Sequence, residues 1–212
     1  MDTALGFLID SGACIGCRTC VIACKSKNGQ PTGIHFRQVI EYNGGTWIPD
    51  PEDPSLLAPS GVFAYCISIS CMHCEDPACM KACPTRAIQQ REHDGVVTID
   101  SQRCTGCRYC EWACPYGAPA FDPVSGQMTK CDLCIDLIEA GEQPWCVTGC
   151  VMRALEVGPI HQLRARHGHL AAVAPLPSEK QTQPRVVITP HRDAQPAHRG
   201  VGQATNPERD LR

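Results

Sequence analysis

The chain has 212 residues, enough for one domain or two small ones, with 17 cysteines, 18 glycines, 18 prolines and a formal net charge of −3. Leu, Ile, Val and Phe together number only 42, near the lower edge for self-sufficient globular chains, so an ordinary apolar core is a poor candidate for what holds it together. The absence of a basic stripe argues against nucleic acid as the main partner, and no apolar run is long enough to span a membrane.

The opening Met1-Asp2, the short apolar stretch Ala4 to Ile9 and the lack of a twin arginine do not read as an export signal. Seventeen thiols made in a reducing compartment then read as metal ligands before they read as disulfides.

In chain order, a strand over Gly6 to Ile9 leads into Cys14, Cys17, Cys20 and Cys24, spaced C-x2-C-x2-C-x3-C. Between Gln30 and Pro59, Phe36 to Tyr42 predicts a strand, Gly44-Gly45 a turn and Thr46 to Ile48 a return strand, an inserted hairpin covering a cluster. A strand over Val62 to Ile69 precedes Cys71, Cys74, Cys79 and Cys83, spaced C-x2-C-x4-C-x3-C and followed by Pro84. Val96 to Ile99 precedes Cys104, Cys107, Cys110 and Cys114, which repeat the first spacing and are followed by Pro115. The last quartet, Cys131, Cys134, Cys146 and Cys150, has a wide middle gap. Each quartet reads as a loop ending in a helical turn. Beyond it, Ala154 to Val157 predicts a strand and Ile160 to Arg166 a short helix ended by Gly168, and residues 177–212 predict an extended tail, disordered or laid across a partner.

The repeat goes deeper than spacing. Ile9-Asp10-Ser11 and Ile99-Asp100-Ser101 stand at equal distances before Cys14 and Cys104, and both quartets share the Gly-Cys-Arg and Ala-Cys pairs. Arg86-Ala87-Ile88 and Arg153-Ala154-Leu155 follow Cys83 and Cys150 equally. The sequence is an A-B-A-B tandem of one cluster-binding unit.

Three thiolates at i, i+3 and i+6 on a tight loop wrap one face of a 4Fe-4S cubane, and the fourth cysteine points away, as it does in two-cluster ferredoxins. Gly16 and Gly106 let the backbone bend close to the inorganic core. Zinc is the competing reading: the fourth quartet alone passes as a zinc site, whereas the first and third crowd four ligands too tightly for one small ion. Disulfides within such short runs would be strained. Four 4Fe-4S clusters are therefore expected, largely filling the interior, with an apo form largely unfolded.

Other residues carry less. Cys66 reads as a buried filler of its strand, and His73, between Cys71 and Cys74, as a poor candidate for an iron ligand. Arg18, Arg108 and Lys130 adjoin ligand cysteines and either offset cluster charge or are solvated. Tyr109, Trp112 and Trp145 read as packing against the clusters. No catalytic constellation is found, so the protein by itself is not an enzyme.

The four quartets in this order behind Gly6-Phe7-Leu8-Ile9-Asp10 resemble the four-cluster iron–sulfur subunits of membrane-bound molybdopterin oxidoreductases. Within them, the B subunits of respiratory dimethyl sulfoxide reductases are similar through Ser68 to Cys79, Cys107-Arg108-Tyr109-Cys110, Ala113 to Pro119, Met128 to Asp132, Gly158-Pro159-Ile160 and Leu170 to Pro177. The resemblance covers nearly the whole sequence and fades after about Thr189.

The resemblance implies an α+β fold of two nested bacterial-ferredoxin-like two-cluster modules with short β-hairpins, loops and short helices. Residues 1–60 and 126–176 form the outer module with its inserted hairpin, and 61–125 the inner one. Carried over to this sequence, Cys14, Cys17, Cys20 and Cys150 hold one cluster, and Cys24, Cys131, Cys134 and Cys146 a second. Cys71, Cys74, Cys79 and Cys114 hold a third, and Cys83, Cys104, Cys107 and Cys110 a fourth. Spacing alone does not choose this over pairing successive quartets.

Nitrate-reductase relatives replace one third-quartet cysteine by Trp; Cys107 is present here, so four cubanes are implied. Val151 stands where the family commonly has Pro, implying a looser turn, and Gly149 implies close approach of backbone to cluster. The implied role is electron relay from a quinol-oxidising integral membrane anchor to a molybdopterin catalytic subunit that reduces dimethyl sulfoxide or a related S- or N-oxide, in a heterotrimer. The protein would lie peripherally on the cytoplasmic membrane through these partners, on the periplasmic side if co-exported with a twin-arginine partner. Formate dehydrogenase and polysulfide, selenate or tetrathionate reductases offer equivalent settings, and a zinc-stabilised interaction module is the alternative of another class.

Overall fold

The computed structural model describes residues 3–205 as an α+β fold. Its first strand, β1 (Leu5–Asp10), is apolar from Leu5 to Ile9, with Phe7, Leu8 and Ile9 all buried. Such a run suits a strand covered on both faces. β1 is the centre of a sheet ordered β8-β1-β9, antiparallel to β8 (Leu155–Pro159) and parallel to β9 (Val186–Thr189). Leu8 and Val187 pack under helix α6 (Ile160–His167), while Phe7, Ile9, Val186 and Ile188 join the main core, which includes many of the cysteines.

A second sheet departs from the expected hairpin. β2 (Gln38–Pro49) runs through Gly44-Gly45 without turning, and the return strand is β3 (Leu57–Ile69). The register shifts between Gly44 and Thr46, and Gly45 has φ 131° with its Cα hydrogen face against Val62. The glycines therefore make a bulge, the other meaning of glycine inside a strand pattern. Thr46 to Ile48 continue the outgoing strand, and the short β10 (Gln203–Ala204) pairs with β2 on its other edge.

Two small hairpins complete the strands: β4 (Ile88–Gln90) with β5 (Val97–Ile99), and β6 (Ala120–Asp122) with β7 (Gln127–Thr129). The strand before the first quartet is tied to the strand after the fourth, with Ile9 opposite Leu155. The strand before the third quartet is tied in the same way to the strand after the second, with Ile99 opposite Ile88. The correspondence extends to single hydrogen bonds: Asp10 N–H donates to Ala154 O and Asp100 N–H to Ala87 O, both at 2.8 Å.

Each quartet closes on a short helix: α1 (Thr19–Lys27), α2 (Ala78–Lys81), α3 (Tyr109–Ala113) and α5 (Trp145–Thr148). The wide gap of the fourth quartet holds α4 (Ile135–Glu139). Gly149 serves helix packing, since a Cβ there would stand 3.1 Å from that of Ala23 in α1.

The segment from 177 onward, expected as an extended tail, lies on the molecule itself up to the last described residues. After a 3₁₀ turn at Glu179–Gln181, the Gln183 and Thr182 carbonyls accept Glu75 and Asp76 N–H, Arg185 N–H donates to Met72 O at 3.0 Å, and β9 follows. Sparse apolar content hid this, because Val186, Val187 and Ile188 suffice for a strand that borrows its partner from the opposite terminus. Residues 206–212 of that expectation lie outside the described residues.

The third residue of each opening knuckle takes left-handed backbone: Gly16 at φ 72°, His73 at 42°, Gly106 at 69° and Leu133 at 66°. Glycine adopts this region freely, whereas a side chain there is strained. At Gly106 an added Cβ would also meet Gly126 O at 2.2 Å, whereas at Gly16 it would meet only the Cys66 Sγ at 2.8 Å. We expect Gly106→Ala and Gly16→Ala each to lower the thermal midpoint of the anaerobic holoprotein, with backbone strain of about 1–3 kcal/mol. Cys66→Ala should restore part of the loss at Gly16 and none at Gly106, a coupling that a double-mutant cycle measures.

Candidate iron–sulfur sites

Many of the quartet cysteines stand beside cysteines of another quartet. Cys14, Cys17, Cys20 and Cys150 line one recess. Burial pushes the Cys14 thiol up to about 11, with like-charged Cys66, Cys20 and Cys150 adding to it. Burial lifts Cys134 to about 12, with Cys146 and Cys24 as neighbours, and raises Cys131 well above its ordinary value, with Cys71, Cys24 and Cys146 beside it. Burial raises Cys74 to about 12 with Cys71 and Cys114 adjacent, and Cys79 faces the same three. Cys110, raised to about 12 by burial, faces Cys104, Cys83 and Cys107.

Buried thiols with raised pKa values are poor company for one another. They become stable thiolate ligands only when a metal centre takes their protons' place. Among the described residues no three His, Cys, Asp or Glu side chains gather as one metal ion would need, and tetrahedral zinc wants thiolates about 3.8 Å apart. A cubane carries its outer ligands wider, and soft thiols are the donors it takes.

The backbone supports the sulfurs. After Cys83, Cys114 and Cys150 the polypeptide makes the same turn, through Arg86 (φ 53°), Gly117 (φ 59°) and Arg153 (φ 53°). It returns the N–H of Ala87, Ala118 and Ala154 to the sulfur four residues back, at 3.3, 3.4 and 3.2 Å. Val151 in place of proline leaves this turn intact, contrary to the looser turn implied: Arg153 N–H reaches Cys150 O at 3.1 Å, as Arg86 N–H reaches Cys83 O at 3.2 Å. In the first quartet α1 continues past Cys24, and Asn28 Nδ2 and Gln30 Nε2 approach the sulfur instead, each at 3.6 Å. Met128 and Leu133 N–H add donors to Cys104 and Cys131, both at 3.4 Å. Such donors stabilise sulfur-borne negative charge.

Cations also reach the interior. Lys130 is buried, its Nζ donating to the Val97 and Cys131 carbonyls, and its charge bears on Cys79 and Cys114. Of the two readings of Lys130, cluster compensation is the one its burial fits. Arg108 is exposed and paired with Glu111 at 2.8 Å, and Arg18 is half-buried. Two arginines escaped notice in the sequence. Arg185 donates to His73 O at 2.8 Å and Gly95 O at 2.7 Å, clasping the Cys71–Cys74 loop from the C-terminal segment. Arg37 is 1% exposed and immediately precedes β2. Their partners are carbonyls, hydroxyls and thiols of distant loops, which no local pattern announces.

His73 is fully buried, and burial, with Lys130 and Arg185 nearby, holds it neutral. Its Nδ1 accepts Val97 N–H at 3.0 Å, which ties the loop to β5. Two other expectations are corrected. Cys66 is only half-buried, with its sulfur against Gly16, because its strand lies at the molecular surface there. Tyr109, Trp112 and Trp145 are 51%, 56% and 45% exposed, so they present apolar surface outward instead of packing inside.

Comparison with known proteins agrees with this chemistry. The family described as a 4Fe-4S dicluster domain matches residues 62–160. The B subunit of anaerobic dimethyl sulfoxide reductase from Escherichia coli K12 is 48% identical over 98% of the present sequence and 99% of its own. Its counterpart in Haemophilus influenzae is 45% identical over 89% and 90%. The B subunit of polysulfide reductase from Wolinella succinogenes is 34% identical over 91% and 97%. A non-catalytic electron-transfer subunit that binds 4Fe-4S clusters, this protein belongs to the family of iron–sulfur B subunits typified by that of anaerobic dimethyl sulfoxide reductase.

Proposed function

We propose that the protein is the relay of a dimethyl sulfoxide reductase-type complex, carrying electrons from a quinol-oxidising membrane anchor to a molybdopterin subunit that reduces dimethyl sulfoxide or a related S- or N-oxide. The higher identity to dimethyl sulfoxide reductase B subunits than to that of polysulfide reductase favours this substrate class. Among the described residues no helix is long and apolar enough to cross a membrane, and attachment through the partners, peripheral to the membrane, accords with that.

The same reading assigns four clusters to nested ligand sets: Cys14, Cys17, Cys20 and Cys150; Cys24, Cys131, Cys134 and Cys146; Cys71, Cys74, Cys79 and Cys114; Cys83, Cys104, Cys107 and Cys110. Residues 1–60 and 126–176 then make an outer module around an inner one at 61–125. The observation that carries this is the matched pairing of β1 with β8 and of β5 with β4, down to the Asp10–Ala154 and Asp100–Ala87 hydrogen bonds. When bound, the clusters supply one-electron transfer; the polypeptide supplies thiolates, N–H donors and exclusion of water.

The neighbours also give an order. Cys20 faces Cys146, Cys131 faces Cys71, and α2, which carries Cys79, packs on α3, which carries Cys110. Ligands at the two ends of this row, Cys17 and Cys107, are exposed. Exposed apolar side chains accompany each: Ile15 and Met152 line the recess of Cys17, and Tyr109 and Trp112 follow Cys107 in the sequence. These ends are where partners would receive and deliver electrons.

Anaerobic purification should yield about sixteen iron and sixteen acid-labile sulfide per protein molecule; zinc without sulfide would sink the reading. Cys150→Ser should disturb the cluster of the first set alone in electron paramagnetic resonance spectra. Damage confined to the set of Cys131 and Cys134 would contradict the assignment. Recovery of the protein stably alone, with neither a molybdenum subunit nor a membrane partner, would replace the relay by a free polyferredoxin.

A further inference from the structure

Arg37 is a charged group buried almost completely without a carboxylate. Its Nη1 donates to Ser68 O at 3.2 Å and Ser68 Oγ at 3.1 Å, and its Nη2 to Ser70 Oγ at 3.0 Å. The guanidinium carbon lies 4.6 Å from the centre of the Phe7 ring. Its Nε has no hydrogen-bond partner, and none of the ion pairs among the described residues includes it. Every acceptor it reaches is neutral. A cation so placed is unfavourable unless negative charge stands near.

The negative charge comes from thiolates. Burial alone would lower the Arg37 pKa, yet Cys146, Cys20, Cys131 and Cys24 outweigh burial and raise it. Three of these four belong to one proposed ligand set, that of Cys24, Cys131, Cys134 and Cys146. The fourth, Cys20, shares the Ser68 hydroxyl with Arg37, its sulfur 3.2 Å from that oxygen. Of the other cations near this set, the buried Lys130 donates to the Cys131 carbonyl, with its charge bearing on Cys79 and Cys114, and Lys27 pairs with the exposed Asp136 at 2.7 Å. The effect of Lys27 is therefore partly cancelled and screened by solvent.

We propose that Arg37 is the buried counter-charge of the cluster bound by Cys24, Cys131, Cys134 and Cys146, and that it holds that cluster's reduction potential up. The proposal rests on the ligand sets assigned above. Reduction adds an electron to an already anionic, buried centre, and a fixed cation favours the more negative state. Arg37 is thus a positioning residue for electron flow: it keeps the second centre in the row reducible by its neighbours. The cluster of Cys14, Cys17, Cys20 and Cys150 feels it less, through Cys20 alone. The cluster of Cys83, Cys104, Cys107 and Cys110 does not face it.

A merely structural role is the rival, since the same hydrogen bonds clip the start of β2 to the end of β3. Redox titration of the membrane-bound complex, followed by electron paramagnetic resonance, separates the two. Arg37→Gln keeps hydrogen-bonding capacity and loses the charge; Arg37→Lys keeps the charge and loses the fork.

With iron content unchanged, Arg37→Gln should make the second cluster at least tenfold harder to reduce, a downward shift of about 59 mV for one electron. The first cluster should shift less, the cluster of the Cys83 set should stay in place, and Arg37→Lys should stay near the parent. Full iron with no shift in Arg37→Gln overturns the proposal and leaves the ligand sets standing. A shift confined to the Cys83 set overturns both.

If Arg37→Gln fails to load iron, Arg37→Lys decides: a loaded, unshifted complex shows that charge is what the site requires. Loss of iron in both variants assigns Arg37 to the structural clip and ends the proposal.

Discussion

A cubane asks for four thiolates at the corners of a tetrahedron, and a short loop can bring only three of them to one face. The fourth must come from elsewhere, and this requirement organises the fold. Three fourth cysteines, Cys83, Cys114 and Cys150, stand just after short helices, where the backbone has turned away from its own loop, and Cys24 lies within α1. Turns through Arg86, Gly117 and Arg153 then bring a backbone N–H back to the sulfur. Strand pairing follows the same need, because β1 can stand beside β8 only if the two outer quartets are brought together.

Negative charge is the second demand of such an interior. Four thiolates per site, shielded from water, would repel one another and their surroundings unless donors and cations converge on them. The protein answers in two ways. Backbone N–H groups meet individual sulfurs, and a few cations, Arg37 and Lys130 above all, are buried between ligand groups. Arg185 contributes differently, by holding the carbonyls of the Cys71–Cys74 loop in place. The scarcity of Leu, Ile, Val and Phe is then less a deficit than a division of space: thiols fill positions in the core that apolar side chains would otherwise occupy.

What was legible in the sequence was chemistry held within short stretches. Quartet spacing, the glycines at 16 and 106 and the strands next to the quartets follow from local stereochemistry, so they could be placed without a structure. What was not legible depended on distant partners. Gly44-Gly45 carries the composition of a turn, and only the long partner strand makes it a bulge. Val186 to Ile188 form a strand only because β1 offers them an edge. Arg37 sat unremarked in a strand-like run because the thiols that explain it come from three separate loops. The aromatic residues beside cysteines misled for the opposite reason: closeness in sequence did not put Tyr109 or Trp112 inside.

β1 lies between β8 and β9, one closing it through residues 155–159 and the other through 186–189. Synthesis proceeds from the other end. β1 therefore has no strand partner until residues 155–159 have been made, and it stays open on its second edge until residues 186–189 have. The hairpin of β4 and β5, by contrast, is complete within a dozen residues of its start. The middle of the molecule can settle early, while its amino-terminal stretch waits as an apolar edge that must be kept from other strands until release.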